Sequence, residues 1–249
     1  MIRTIRKPVL VFMLMAVLTA CQPERTSAPD QKPSESAMLI ASIATMDLPQ
    51  AKFCDATQCT RYRIDMVQTN LAWINQYFLD WVKQHYPEAF QTQSNTAQQQ
   101  TFEQANNHAI AVTIRYLGQH ETRVSFVIEQ SHYRSDGTAN IDPQYVHFDI
   151  EKKTKIGLKE LMQPHQQAAI LERLVQYNQP ILQQHTISAE QLELTDNFVF
   201  QQEGIVWINP LPDTVKMQQP LQLILPYTDS AEFLQSTYIP STLNFTLEE

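Results

Sequence analysis

The first folded segment of the chain is marked by an alternation of apolar and polar residues. Tyr62, Ile64 and Met66 alternate with charged residues, which is typical of a half-buried β-strand. Asn70 offers a helix N-cap, and apolar residues recur at helical spacing from there to Pro87. The pattern therefore predicts a strand followed by an amphipathic helix that buries one aromatic stripe.

Three further alternating segments begin near His108 and are separated by short polar turns. Turns are predicted at Gly118–His120 and at Ser135–Gly137, so the three segments form an antiparallel meander. The apolar positions are Ile110, Val112, Ile114 and Tyr116 in the first segment, Val124, Phe126 and Ile128 in the second, and Val146, Phe148 and Ile150 in the third.

From Leu158 onward the spacing becomes helical again, before a second set of short strands. Pro164 suits the first turn of a helix whose apolar stripe ends before Pro180, and Ser188 with Gln191 resembles a capping box. Strands are predicted near 198–200, 205–209, 221–225 and 243–247. Short connections and few crossover helices indicate an α+β fold, in which a mostly antiparallel sheet of meander and hairpins packs with two main amphipathic helices.

Composition and charge exclude several classes of function. The chain has 249 residues, with 18 Lys+Arg against 26 Asp+Glu. Without residues 1–20, 15 basic and 26 acidic residues remain, a net charge of −11. A nucleic-acid binder carries the opposite charge over most of its surface. The four glycines also lie too far apart to form a phosphate-binding loop, a dinucleotide fingerprint or a G-x-S-x-G elbow.

The N-terminus has the arrangement of a secretory signal. Met1–Lys7 is basic, Val9–Leu18 is apolar and too short to span a bilayer, and small residues then precede Cys21. The segment Leu18–Cys21 resembles the lipobox of bacterial lipoproteins. The resemblance implies cleavage before Cys21, with diacylglycerol on its sulfur and an acylated amine, as a membrane anchor. An ordinary secreted protein is the alternative interpretation.

The sequence also predicts location and domain limits. Gln22 follows the anchor cysteine, which favours the outer membrane in enterobacterial-type sorting, so we expect a bacterial cell-envelope protein that faces the periplasm. The stretch from Gln22 to about Ala37 has no large apolar residue and three prolines, which is typical of an unfolded tether. The predicted organisation is a signal peptide at 1–20, a tether at 21–45, and two α+β subdomains at 46–150 and 151–249.

Two cysteines remain in the exported part of the chain. Cys54 and Cys59 bracket four residues, and an oxidising compartment favours a disulfide between them. A zinc site is the alternative, but it needs further ligands, and no His lies in this stretch. We predict the disulfide.

Three segments carry a resemblance to a known family. Phe148–Met162, Phe198–Asn209 and Leu223–Tyr227 resemble the RsiV-like family of envelope domains, which includes the outer half of a lysozyme-sensing anti-sigma factor. The resemblance extends over Arg61–Leu234. It implies an α+β binding domain whose ligand is a muramidase such as lysozyme, or the peptidoglycan that muramidases attack. The chain departs from the family pattern at Thr138–Asp142 and after Pro210.

Enzyme chemistry has only unspecific support in the sequence. His108, His120, His132 and His147 lie near or on predicted strands, His147 opposite Val146 and Phe148, but no short metal-binding spacing is present. Asp149 and Glu151 would share one side of a strand, as glycoside hydrolysis needs, although an exposed acidic edge is commoner. We therefore predict no catalysis, no metal and no cofactor.

The combined prediction is a lipid-anchored binding or sensing module of the cell envelope. An envelope hydrolase with a concealed site and an outer-membrane assembly scaffold are the alternatives. Binding residues are expected on two loops, Ser131–Asp142 and Asn209–Asp213. The candidate contacts are His132, Tyr133, Asp136, Asp142, Asn209 and Asp213, with Tyr133 as the best anchor. The charge of −11 favours a cationic protein partner.

Overall fold

The computed structural model describes residues 38–54, 58–91, 106–133, 139–209 and 220–240. All of them belong to one compact unit that spans Ser36–Glu249. The predicted signal peptide and Cys21 lie outside the described residues, as does the predicted strand at 243–247. No helix in the described ranges is long and apolar enough to cross a membrane.

Seven strands form the larger sheet. In chain order they are β1 (Ala41–Thr45), β2 (Lys52–Cys54), β3 (Gln58–Thr69), β4 (Asn106–His120), β5 (Arg123–Tyr133), β6 (Ala139–Asp149) and β7 (Thr154–Ile156). The spatial order is β1-β3-β4-β5-β6-β7, and β2 also pairs with β3. Every pair is antiparallel except β3 with β4. That pair is parallel because helix α1 (Ala72–His85) lies in the connection between the two strands.

A smaller sheet and four further helices follow. The sheet has the order β10-β9-β8 and contains β8 (Phe198–Phe200), β9 (Gly204–Asn209) and β10 (Leu221–Pro226), all antiparallel. The helices are α2 (Leu158–Leu161), α3 (Gln167–Tyr177), α4 (Gln179–Gln184) and α5 (Tyr227–Ser230). The predicted α+β fold is confirmed, with mostly antiparallel sheet and with α1 and α3 as its two main helices.

Two hydrophobic clusters form the core, and they divide along the chain near residue 150. In the first, Phe78 of α1 packs against Phe126 and Phe148 of the larger sheet. In the second, Leu174 of α3 belongs to the same cluster as Trp207 of the smaller sheet. Full burial of an aliphatic or aromatic side chain stabilises by about 1.5–3 kcal/mol. The two clusters therefore hold the two sheets in place.

The folded part begins earlier than the sequence indicated. The predicted tether extends to residue 45, but Ala41–Thr45 form β1, which pairs with the end of β3. Asn70 does not cap α1, whose N-cap is Leu71. Its side chain instead bonds β1, accepting from the Ile40 N–H at 3.0 Å and donating to the Met38 carbonyl at 3.1 Å.

Two predicted boundaries shift by a few residues. Strand β4 continues through Gly118 to His120, with a register irregularity between Tyr116 and Gly118, and Glu121 in the turn adopts a φ of 54°. Helix α3 begins at Gln167 rather than near Pro164. The capping box at Ser188 is confirmed, since the Ser188 N–H donates to the side chain of Gln191 at 2.8 Å.

The predicted disulfide between Cys54 and Cys59 is present in the structure. The two cysteines are directly paired positions of β2 and β3. The disulfide therefore closes a hairpin that the strand pairing already forms. Thr57 and its two preceding residues, which the hairpin encloses, lie outside the described residues.

Asparagine side chains hydrogen-bond strands in the way that a neighbouring strand would. The Asn178 amide donates to the Ile224 carbonyl at 2.7 Å and accepts from the Ile224 N–H at 3.1 Å. The Asn75 amide makes the same pair of bonds with Thr69, both at 2.8 Å. In an antiparallel ladder, a hydrogen-bonded residue likewise donates to and accepts from a single residue of the neighbouring strand.

The Asn197 side chain likewise hydrogen-bonds backbone groups at the outer edge of β6, here on two different residues. It accepts from the Tyr145 N–H at 2.9 Å and donates to the Pro143 carbonyl at 3.0 Å. Strand β7 pairs only with residues 147–149 of β6, so Asn197 serves the part of the edge that β7 does not reach. Unpaired backbone groups that lose contact with water are costly, and the amide removes that cost.

We expect Asn197→Ala to destabilise the protein by about 1–3 kcal/mol, because two backbone groups of β6 lose their partner. Asn140→Ala is the matched control, because Asn140 is an exposed residue of β6 itself. This substitution should change the stability by less than about 0.5 kcal/mol. Chemical denaturation of both variants measures the difference. Equal stabilities would show that the Asn197 amide contributes nothing.

Candidate functional site

Part of one side of the larger sheet is covered by no other element of the described residues. Even-numbered residues of the central strands, such as Val112, Ile128 and Val146, are buried against α1. The odd-numbered residues point to the opposite side because side chains alternate along a strand. We call the odd-numbered residues at 109–115 of β4, 129–133 of β5 and 139–143 of β6 the odd face. None of them belongs to either hydrophobic cluster of the described residues.

Tyr133 and Ile141 are the exposed apolar residues of the odd face. Their exposed fractions are 43% and 57%. Ile141 pairs with Ser131, two residues before Tyr133 on the neighbouring strand, so the two side chains are diagonal neighbours on one surface. Small side chains surround them, because Ala111 pairs with Ser131 and Ala139 pairs with Tyr133. The Tyr133 ring and the Ile141 side chain therefore project beyond the smaller side chains around them.

A charged pair borders this apolar patch. The Arg115 guanidinium donates from two nitrogens to the two carboxylate oxygens of Glu129, and the Nε–Oε2 distance is 3.2 Å. Hydrogen bonding to Glu129 raises the pKa of Arg115 above its usual range. The side chains remain 43% and 33% exposed, so the pair is available to a ligand. Apolar contact beside a bidentate ion pair provides both affinity and orientation for a macromolecular partner.

The structure separates the candidate residues that the sequence placed on one loop. Most of the predicted loop Ser131–Asp142 is strand, because β5 ends at Tyr133 and β6 begins at Ala139. His132 and Asp142 have even numbers and lie on the opposite side of the sheet from Tyr133. Both are exposed. Asp136 lies outside the described residues. A strand alternates its side chains whereas a loop does not, and this explains the difference.

The second predicted loop gives one residue that can be placed. Asn209 ends β9 and is 3% exposed, so it is buried rather than available on a surface. Its Nδ2 has no hydrogen-bond partner among the described residues. Asp213 lies outside the described residues, as do Pro210 and the connection that follows it. In the described structure, therefore, only Tyr133 of the candidate set lies on the odd face.

A buried histidine of β6 lies toward the other end of the odd-numbered side of the sheet. His147 is 1% exposed, and its ring stacks on Phe198 with centroids 5.0 Å apart. Its Nε2 lies 2.6 Å from the Phe198 carbonyl oxygen, and its Nδ1 lies 2.8 Å from the Ser125 hydroxyl. A carbonyl only accepts, so Nε2 carries the proton and donates. In the neutral ring Nδ1 then accepts from Ser125.

The electrostatics of His147 agree with a neutral ring. Burial, the largest cause, lowers its pKa to about 4, although the hydrogen bond to Phe198 acts in the opposite direction. Arg123, which lies two residues before Ser125 and opposite Asp149, also lowers it. The arrangement is therefore a hydrogen-bonded connection between β5, β6 and β8. The alternation along the strand correctly predicts His147 on the side opposite Val146, but it carries no signal for Ser125 or the Phe198 carbonyl as partners of the ring.

The Ser125–His147 contact is poorly suited to catalysis. A general base works best with a pKa near the working pH, and His147 lies well below that range. Asp149 does not orient the ring, because its carboxylate accepts from the Glu151 and Lys152 N–H groups and forms an ion pair with the Lys152 side chain at 3.1 Å. Asp149 is 1% exposed and Glu151 is exposed, so they do not form a carboxylate pair on one surface.

A metal centre has no support within the described ranges. No group of three or more His, Cys, Asp and Glu side chains there lies close enough to hold a metal ion. His108 and His132 lie on neighbouring strands at different levels, since His108 pairs with Thr60 of β3 and His132 pairs with Ile110 and Asn140. The candidate site is the odd face, because it presents exposed Tyr133 and Ile141 beside the accessible Arg115–Glu129 pair.

Comparisons with known proteins bear on the fold. No protein-family model matches the chain, and no curated protein matches it. A solved structure of a DUF3298 family member from Bacteroides fragilis is similar, with 10% identity, 80% of this chain and 95% of that chain covered, and a TM-score of 0.51. A DUF3298 family protein from Pseudomonas aeruginosa gives 12% identity, coverage of 82% and 98%, and a TM-score of 0.56. The chain therefore shares the fold of these DUF3298 proteins.

We expect the stability of the protein to fall as the pH is lowered from about 6.5 to 4. The pKa of His147 is about 4 in the folded protein against 6.5 ordinarily, so the unfolded chain binds the extra proton in this range. The stabilisation is complete above pH 6.5, and about 3 kcal/mol of it is lost by pH 4. Denaturation curves at several pH values measure the slope.

Two variants test the origin of that slope. His147→Gln removes the titrating group and should flatten the pH dependence, whatever its effect on absolute stability. His132→Gln removes an exposed histidine and should leave the slope unchanged. If the wild type and His147→Gln lose the same stability between pH 6.5 and 4, the proposed titration of His147 is wrong.

Proposed function

We propose that the protein is an envelope binding module that is anchored through Cys21 and binds its partner on the odd face. The observation that carries the proposal is that exposed Tyr133 and exposed Ile141 are diagonal neighbours on a side of the sheet that no described element covers. Aromatic side chains beside aliphatic ones are enriched at the centres of protein interfaces. Tyr133 combines a large contact area with a hydroxyl for hydrogen bonding.

The proposed partner is a cationic muramidase such as lysozyme. The resemblance of Phe148–Met162 and the two later segments to a lysozyme-sensing family supports this choice. The charge of −11 that remains without residues 1–20 supports it independently, because opposite net charges accelerate encounter and make association sensitive to salt. The DUF3298 structures contribute the fold and name no ligand. Long-range attraction would then come from the whole surface, and local contact from Tyr133.

Peptidoglycan is the second candidate ligand. An exposed tyrosine ring next to polar Ser131 and the Arg115–Glu129 pair has the composition of a sugar-binding surface, since the ring covers an apolar sugar face and the polar groups bond hydroxyls. This candidate differs from the first in its salt dependence, because peptidoglycan carries peptide carboxylates and is not attracted by a negative net charge, so salt should not weaken its binding. Co-sedimentation with insoluble peptidoglycan across the same salt range separates the two.

We expect the protein from Ala37 onward to bind a chicken-type lysozyme, with affinity falling across roughly 50 to 300 mM salt as charges are screened. Tyr133→Ala should weaken binding by about tenfold, because truncating a central aromatic contact costs more than about 1 kcal/mol. Tyr177→Ala is the matched control, since Tyr177 is 51% exposed on α3, and it should have no effect. Titration calorimetry measures all three proteins.

Each outcome decides a separate part of the proposal. Absence of binding at about 50 mM salt removes the muramidase as partner. Binding that Tyr133→Ala and Ile141→Ala leave unchanged keeps the partner and removes the odd face as its site. An equal loss with Tyr177→Ala would show that the effect is not specific to the odd face.

The anchor has its own test. Cys21→Ser in the full chain should abolish lipid attachment and release the protein from membranes, or leave it unprocessed, because the acyl groups provide the membrane affinity. Mass spectrometry of the wild-type N-terminal peptide should show the acyl mass on Cys21. A wild-type protein that fractionates as soluble, with no acyl mass, would contradict the anchor.

A further inference from the structure

The two edges of the larger sheet differ in their protection. On the β6 side, Pro143 has no N–H to offer, Asn197 bonds its carbonyl, and β7 pairs with residues 147–149. Proline and side-chain caps at an edge are established ways to prevent association with another strand. Strand β1 forms the opposite edge, and among the described residues only β3 pairs with it.

The backbone groups of β1 alternate between the sheet and the open edge. Ile40 bonds toward the end of β3, through its carbonyl to the Asn70 N–H and through its N–H to the Asn70 side chain. Met46 also bonds toward β3, through its N–H to the Ile64 carbonyl. By alternation, the N–H and C=O groups of Ala41, Ile43 and Thr45 point to the open side. These groups are spaced to pair with a further strand.

The side chains of this edge are apolar and exposed. Met38, Ile40 and Ile43 are 80%, 70% and 51% exposed. The strand Ala41–Thr45 contains neither a charged residue nor a proline, two features that commonly prevent edge pairing. Three exposed large apolar residues, next to backbone groups that no described strand pairs, form a surface that favours a second strand.

We propose that β1 pairs antiparallel with β1 of a second copy of this chain, which forms a two-fold symmetric dimer with a continuous sheet. A two-fold axis at Ile43 places Ile43 opposite its own mate and Ala41 opposite Thr45 of the partner subunit. All three outward-facing residues then exchange hydrogen bonds. In the same register Ile40 lies opposite Met46 of the partner subunit, so apolar residues meet apolar residues.

Self-complementarity favours a second copy over other occupants. The two-fold axis brings Ile43 opposite its own mate, where a charged residue would be repelled by the same charge on the partner. Strand β1 has none. The preceding residues 22–37 are a poor alternative occupant, because their three prolines and lack of large apolar residues do not suit a strand. The dimer does not depend on the odd face or on its ligand.

Cysteine cross-linking in the full-length protein within its native membrane fraction tests the register. Residues paired by two hydrogen bonds have Cα atoms about 5.5 Å apart, within disulfide range, so Ile43→Cys should form an intermolecular disulfide under mild oxidation. Thr45→Cys is the matched control. It lies about 14 Å from its own mate in this register and should not cross-link with itself. Co-expression of Ala41→Cys with Thr45→Cys should restore the cross-link.

A second measurement does not need an added cysteine. The purified full-length wild type should have the mass of a dimer by light scattering, and Ile43→Lys should have that of a monomer. Ile43 is half exposed, so the charge should leave the monomer folded, as circular dichroism will show. A monomeric wild type overturns the proposal. Equal cross-linking of Ile43→Cys and Thr45→Cys also overturns it, because it contradicts the register.

Discussion

The structure depends on the burial of one strand from both sides. The last four residues of β6, from Val146 to Asp149, are all nearly inaccessible to solvent. Val146 and Phe148 pack toward α1, whereas His147 is held by the Phe198 carbonyl of the smaller sheet. A polar side chain in this position must be fully hydrogen-bonded, and His147 satisfies both ring nitrogens. This one strand therefore joins both hydrophobic clusters.

The open surface follows from a difference in strand length. Strands β5 and β6 have 11 residues each and extend about 35 Å, whereas β8 has three residues and covers about 10 Å of them. The odd face lies on the part of the same side that no described element covers. Its backbone is satisfied within the sheet and by Asn197 at the β6 edge. The sheet thus presents Tyr133 and Ile141 on a rigid surface rather than on a mobile loop.

Alternation in the sequence predicted the strands and the buried side of each, and it placed His147 opposite Val146. It could not show that one side of β6 is covered at His147 and open at Ile141, because both positions have the same pattern. The alternation also could not predict that β3 and β4 pair in parallel, because that pairing depends on where α1 lies. Asn70 illustrates a local rule overridden by tertiary contact, because its side chain bonds β1 instead of capping α1.

The parallel pair of β3 with β4 has a consequence for the entropy cost of folding. Strands β4, β5 and β6 follow one another through short connections, so their contacts close only short loops. The β3–β4 pair joins residues such as Ile64 and Val112, 48 positions apart, and its formation carries the entropy of closing that loop. Since Cys54 and Cys59 lie on one side of that closure, their disulfide does not shorten it. Docking of β3 and α1 onto the meander therefore carries a larger loop-closure entropy than forming the meander itself.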